Sequence, residues 1–339
     1  MFHRVDTLAC VSKTATTTPA RFLPTPWVNY PRREASESRL DIRLETAGQQ
    51  VGTEVGLWTY SPHQEKRPAK PPRILLIHGF RGDHHGMQLI ADALPEYEVF
   101  VPDLPGYGLT QPLRGADGTR TEHTVELYAK FVEALAEKLG LGPGDLLLGH
   151  SFGTIVCSAH AALHRREWAG LALSAPVTNN VFAGRLLPGA AVVELYYRLS
   201  QLLPETAGNA FLRSPTILEV TNVTLGVGWD QKLTDYVRDQ HRQFFGGYTD
   251  RQTLLESYRA SSRYTVADFA AQIDLPTLLL PGAKDNLSTV AGRMAVRDAL
   301  PQGQLEIIRG SGHLVHYEKP VQVARAVRRF GREVGVTGA

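Results

Sequence analysis

Cysteine is scarce in this chain. Cys10 and Cys157 are the only two in 339 residues. One lies near the N-terminus and the other in a run of small and apolar residues, so no disulfide framework is expected, and a reducing, cytoplasmic setting fits best. Cys157 reads as a small core residue and not as a reactive thiol. Long apolar runs are missing as well. None reaches the ~18–20 residues that a membrane span needs. Residues 1–20 hold Arg4 but no continuous apolar segment, so no signal peptide is expected. Neither sign of charge prevails: Lys+Arg of 36 against Asp+Glu of 34 leaves +2. That balance supplies no global field to draw nucleic acid or an anionic membrane. No internal repeat is visible. Residues 19–39 are rich in Pro, Arg and Ser, and residues 1–39 together are expected to be a poorly ordered lead-in.

What the chain does contain is an ordered rhythm. Residues 40–45 alternate apolar and charged, as a half-solvated edge strand does, residues 48–50 turn, and residues 53–60 return. From residue 74 onward, apolar strand-like runs at 74–77, 99–102, 145–148, 171–174, 277–280 and 305–308 alternate with helical patterns. The helices are expected at 86–94, 124–139, 152–166, 291–299 and 320–334. Alternation of this kind implies an α/β fold, a mostly parallel central sheet with helices on both faces. The rhythm breaks over residues 176–265. Amphipathic stripes appear there instead: Val192, Val193, Leu195, Tyr196, Leu199 and Leu202, then Leu233, Tyr236, Val237, Phe244 and Phe245, then Leu254, Leu255 and Tyr258. The expected organisation is a core of residues 40–175 and 266–339 interrupted by a helical insertion at 176–265.

The most informative stretch is residues 146–153, Leu-Leu-Leu-Gly-His-Ser-Phe-Gly, a buried strand running into G-x-S-x-G. The chain must turn sharply there before the helix that follows. Gly149 and Gly153 remove β-carbons that would clash in the turn, and Ser151 is pushed to its tip with a helix N-terminus behind it. Three other segments end strands with chemically able residues: residues 73–80, ending His78-Gly79-Phe80; residues 278–286, carrying Asp285; and residues 305–313, ending Gly310-Ser311-Gly312-His313. Residues 101–108 supply Asp-Leu-Pro-Gly-Tyr-Gly between them.

In these motifs and their order the chain resembles the α/β-hydrolase family, over roughly residues 40–175 and 266–335. The resemblance implies a nucleophile, acid and base in the order Ser151, Asp285, His313. It also implies an oxyanion hole from the backbone N–H groups of Phe80 and Phe152, and elbow and loop shaping by His78, Gly79, Gly149, His150 and Gly153. The insertion looks like the helical cap that many members carry over the active site. The activity implied is that of a serine hydrolase cleaving an ester, or an amide or lactone, of a small to medium apolar acyl substrate through an acyl-enzyme. No metal and no organic cofactor is implied, and the partner is a small ester-like molecule. C–C bond hydrolysis, perhydrolysis and acyl transfer could use the same residues, and a ligand receptor could be built on the same scaffold. Aspartate-nucleophile relatives such as epoxide hydrolases are excluded by Ser151. Proline iminopeptidases carry His-Gly-Gly-Pro where this chain has His78-Gly79-Phe80-Arg81.

Other polar residues invite blander readings. Asp83 is expected to cap a helix, with His84 and His85 on the surface and pointing apart, too divergent for a metal. His316 is expected to pack, leaving His313 as the base, and Asp103 to organise its loop.

Overall fold

The computed structural model describes residues 31–63, 70–180, 182–183, 187–225 and 231–337. The first two strands, β1 (Ser36–Thr46) and β2 (Gln49–Tyr60), pair antiparallel with Thr46 opposite Gln49. Ala47 (φ 49°) and Gly48 (φ 73°) make the two-residue turn between them. Both central residues have positive φ, which matches the twist of a hairpin. The remaining strands are β3 (Arg73–Ile77), β4 (Glu98–Pro102), β5 (Arg114–Gly115), β6 (Leu146–His150), β7 (Gly170–Ser174), β8 (Thr277–Leu280) and β9 (Gly303–Leu305). They form one sheet in the order β1-β2-β4-β3-β6-β7-β8-β9, with β5 paired to β2. From β4 across to β9 every pairing is parallel.

The helices are α1 (Gln88–Asp92), α2 (Val125–Lys138), α3 (Phe152–His164), α4 (Leu187–Leu202), α5 (Glu205–Leu212), α6 (Pro215–Leu225), α7 (Gln231–Phe244), α8 (Arg251–Arg263), α9 (Ala267–Ala270), α10 (Val290–Ala299), α11 (Val315–Glu318) and α12 (Pro320–Glu333). Parallel central strands buried on both faces cannot alternate apolar with polar, and β6 is buried at all five positions. Its neighbouring leucines serve different cores. Leu147 joins Leu75, Ile77, Leu171 and Leu173 against α2 and α3, whereas Leu146 and Leu148 join Ile74, Leu76 and Leu278 against α1 and α12. Helices therefore cover both faces. Among the described residues no helix is long and apolar enough to cross a membrane.

Three sequence expectations need correction. First, the lead-in assigned to residues 1–39 is structured at its end; residues 1–30, with Cys10, lie outside the described residues. Strand β1 begins at Ser36, and Arg33 is buried. The Arg33 guanidinium donates to the carbonyls of Ala91, Leu94, Tyr60, Ser61 and Tyr97, and its backbone N–H donates to Asp92. A polar sequence is ordered here largely by the carbonyl groups that this arginine reaches. Second, the strand expected at 305–308 lies at Gly303–Leu305, and Ile308 keeps only an isolated bridge to Gly282. Third, the apolar stripe of α4 does not face inward. Val192 is 69% and Leu202 82% exposed, and the buried positions are Tyr197 and Ser200.

Replacing Arg33 with alanine strands several buried carbonyls at once. Each unsatisfied group costs about 1–3 kcal/mol. Arg33→Ala should lower the urea midpoint markedly while leaving the denaturant slope unchanged; an unaltered midpoint would show that the clasp contributes nothing.

Candidate active site

The turn after β6 is built by two close approaches. A β-carbon on Gly149 would lie 2.2 Å from the Gly153 carbonyl oxygen, and one on Gly153 would lie 2.3 Å from the Ile77 carbonyl oxygen at the end of β3. Only glycine fits at either position. Between them Ser151 adopts φ 52°, a left-handed conformation that costs a non-glycine residue on the order of 1–3 kcal/mol. Its N–H donates to the Ser174 carbonyl at 3.0 Å, and the Thr154 hydroxyl donates to its carbonyl at 2.6 Å. The strained residue is thus held from both sides.

Ser151 Oγ lies 2.8 Å from His313 Nε2. His313 Nδ1 lies 3.1 Å from each carboxylate oxygen of Asp285. An ionised carboxylate only accepts, so Nδ1 carries the proton and Nε2 is left to accept from the serine hydroxyl. Asp285 also accepts the Leu287 N–H at 2.9 Å. The three side chains expected to act together are therefore in one hydrogen-bonded line, although 162 residues separate the serine from the histidine.

The loops carrying His313 and Asp285 are tied to each other. The Ala283 N–H donates to Ile308 and the Lys284 N–H to Ser311. A β-carbon on Gly282 would sit 2.0 Å from the Gly312 carbonyl oxygen. Two further residues support this pair and escaped the sequence reading. Buried Glu318 accepts the Gly312 N–H at 2.6 Å. Arg293, on α10, donates to the Asp285 carbonyl at 3.2 Å and to the Ser288 hydroxyl at 3.1 Å. Glu318 had a faint signal, a carboxylate among apolar and aromatic residues just past His313. Arg293 had none, because nothing in a surface-like helix marks one arginine as inward.

On the other side of Ser151, a β-carbon on Gly79 would lie 3.1 Å from Ser151 Cβ, so the segment of His78, Gly79 and Phe80 abuts the serine directly. Phe152 is the first residue of α3, where N–H groups have no intrahelical acceptor. His78 shapes the segment. Its Nδ1–H donates to the Gly79 carbonyl at 2.8 Å, and its Nε2 accepts the Leu104 N–H at 2.9 Å. Burial holds its pKa down, in keeping with a neutral ring that both donates and accepts. Asp103 accepts the N–H groups of His84 and Leu109, both at 2.8 Å, and organises the adjoining loop as expected.

The family model for the α/β hydrolase fold matches residues 72–320. The chain belongs to the α/β-hydrolase family. Among its curated relatives, human monoacylglycerol lipase ABHD6 is 30% identical over 274 residues, which cover 78% of this chain and 76% of that protein. The pimeloyl-[acyl-carrier protein] methyl ester esterase of Xanthomonas oryzae pv. oryzae is 25% identical over 266 residues, 76% of this chain and 94% of that one. Among solved structures, a thermophilic esterase from Thermogutta terrifontis superposes with a TM-score of 0.66 at 24% identity, covering 87% of this chain and 98% of its own.

Within this family frame the remaining histidines find places. The rings of His150 and His316 meet at a tilt with centres 3.9 Å apart, and the His150 ring centre lies 6.0 Å from that of His313. Burial, then the neighbouring rings, pushes both pKa values well below the ordinary imidazole value. His316 packs as expected. The expectation for Asp83, His84 and His85 holds only in part. Asp83 does cap its short helix through the His85 N–H. His84, however, is not on the surface: it is buried and stacked on Trp58 with ring centres 3.2 Å apart, and half-buried His85 lies tilted against it at 3.8 Å. Nor do the two histidines diverge, since one ligand atom from each of the three residues falls within 4.8 Å of the others. Their ring Nδ1 atoms are engaged by carboxylates, His84 by Asp103 and His85 by Asp83.

Burial also brings His160 and His241 down to about 4. Unfolded histidine titrates near 6.5. Between those values the unfolded chain binds protons that the folded one refuses, so stability must fall as pH drops from about 6.5 to 4. Melting temperature measured across that window should decline, and His241→Gln should make the decline shallower. A pH-independent melting temperature over that range would contradict the neutral, buried histidines.

Proposed function

We propose that this protein is a serine ester hydrolase that works through an acyl-enzyme, with Ser151 as nucleophile, His313 as base and Asp285 as its orienting acid. The observation that carries this reading is the line from Ser151 Oγ to His313 Nε2 at 2.8 Å and from His313 Nδ1 to Asp285 at 3.1 Å. Relatives named as a lipase and as a methyl ester esterase support an ester as the bond cleaved.

A serine hydroxyl is a weak nucleophile until a base removes its proton during attack. His313 Nε2 takes that proton as Oγ bonds to the acyl carbon. The imidazolium so formed is stabilised by the Asp285 carboxylate beside Nδ1. The carbonyl oxygen gains negative charge and is held by the Phe80 and Phe152 N–H groups, each worth about 3–4 kcal/mol to the transition state. His313 then returns the proton to the departing alkoxide oxygen. Water repeats the sequence on the acyl-enzyme and releases the acid.

The helices α4 to α8 act as a cap over this site. Phe80 touches two of their aromatic residues, with ring centres 6.2 Å from Tyr197 and 6.3 Å from Tyr258, and those two tyrosines stack at 4.0 Å. This aromatic wall stands beside the proposed oxyanion donor and favours a small to medium apolar acyl group. A second tie joins cap to core: Glu256 on α8 accepts from Arg120 and from the His123 backbone. Burial alone would raise its pKa, but those hydrogen bonds outweigh it and bring the carboxyl down to about 2, so the tie stays ionised at any working pH.

Ser151→Ala should lower kcat on p-nitrophenyl acyl esters by about 10⁴-fold or more, and should abolish labelling by a fluorophosphonate. Normal labelling of that variant would refute the assignment. Across a series of acyl lengths, Tyr197→Ala and Tyr258→Ala should shift the optimum toward longer chains; an unchanged profile would remove the wall from the acyl site.

A further inference from the structure

Arg81 follows Phe80 directly, and the chemistry above makes no use of it. Its backbone has φ 61°, the left-handed region that an arginine does not favour. The residue is only 6% exposed. A buried guanidinium ordinarily needs a carboxylate, yet among the described residues none is paired with it. The charge is met instead by carbonyl dipoles and ring faces. Nη2 donates to the Leu212 carbonyl at 2.7 Å, and Nε donates to the Phe245 carbonyl at 3.3 Å. The guanidinium carbon stands 5.0 Å from the Phe245 ring centre and 5.9 Å from that of Tyr248.

Every one of these partners lies in the cap. Leu212 ends α5, where carbonyls have lost their intrahelical donors. The Tyr196 hydroxyl on α4 donates to the same carbonyl at 2.9 Å, so both its lone pairs are taken. Phe245 and Tyr248 belong to the link between α7 and α8. That link is fastened to the core a second time, through Gly108 N–H to the Gly247 carbonyl and Thr249 N–H to the Gly106 carbonyl, both at 2.9 Å. The arginine therefore reaches from the residue after Phe80 into a part of the cap that is itself anchored. An unfavourable φ at that residue persists only where its surroundings over-determine it, and these are the surroundings.

We propose that Arg81 is a positioning residue for the backbone N–H of Phe80, through which the cap completes the oxyanion hole. The proposal rests on the reading of Phe80 as an oxyanion donor. The planar fork matters as well as the charge. One ammonium could not span two carbonyls from distant segments while lying over two rings.

The test uses the full-length protein, with the competent fraction fixed by titration with a fluorophosphonate. Per titrated site, Arg81→Ala should lower kcat on p-nitrophenyl butyrate by about 10–100-fold, the scale of a misplaced catalytic group, with KM nearly unchanged. Affinity for a trifluoromethyl ketone, whose serine adduct bears the oxyanion, should fall by a similar factor. Arg81→Lys keeps charge and length without the fork and should recover little. Arg213→Ala is the control. Arg213 lies over the other partner of this cluster, 4.6 Å from the Tyr248 ring centre, and donates to the Tyr248 carbonyl at 3.3 Å, but it does not touch the Phe80 segment. It should leave kcat per site unaltered. If Arg81→Ala does not yield soluble protein, Arg81→Lys carries the same measurement. Unchanged kcat per site, a loss confined to KM, or an equal loss in Arg213→Ala would overturn the proposal. Turnover surviving in Ser151→Ala would instead overturn the hydrolase reading beneath it.

Discussion

The rest of the site depends on one close approach, that of the first turn of α3 to the ends of β3 and β6. No β-carbon fits at Gly149 or Gly153, so backbone meets backbone there. That contact fixes the direction in which Ser151 leaves the sheet and brings the helix N-terminus up behind it. It also sets how far the segment of His78, Gly79 and Phe80 stands from the serine, because the Ile77 carbonyl is one of the groups that Gly153 admits. From there the parallel sheet does the remaining placement. Strand β8 lies one strand beyond β7 and β9 one further, so the loops that leave their ends can lean back over β6 and deliver Asp285 and His313.

The parts of this arrangement that were legible in the sequence share one property: each is a local requirement. A buried strand must be apolar, a turn with no room must be glycine, and a catalytic loop must carry its reactive residue just past a strand end. The strands around residues 74, 146, 171 and 277 and the elbow with Ser151 follow from such rules, whereas Asp285 and His313 were picked out by their place in the family's order of motifs. The assignments that failed depend on what lies across from a residue. The stripe on α4 has the periodicity of an inward face, but periodicity cannot tell which of two faces meets the protein. Arg33 sits in a stretch too polar to suggest order, because its stabilisation comes from carbonyls about 30 to 60 residues away. His84 looks like a surface residue until Trp58 stacks on it.

The polar residues missed near the site follow the same logic. Glu318 and Arg293 act on main-chain groups, the Gly312 N–H and the Asp285 carbonyl. Main-chain partners leave no trace in side-chain patterns, so no motif advertises them. The segment of helices α4 to α8 is joined to the core largely in this way too, by Arg81 on the carbonyls of Leu212 and Phe245 and by Glu256 on the His123 N–H. A hydrolase assembled so can vary the side chains of these helices widely while the geometry around the serine is retained.

The left-handed backbone of Ser151 has a consequence of its own. At that torsion glycine is the relaxed residue, and any side chain is held there against a local preference. Chemistry and backbone thus make opposite demands on one position. Selection for thermal endurance alone would favour Ser151→Gly, a folded protein without the proposed nucleophile. Variants recovered from a screen for stability therefore have to be counted by their reactive hydroxyl, because the most robust among them can be the ones that have ceased to be enzymes.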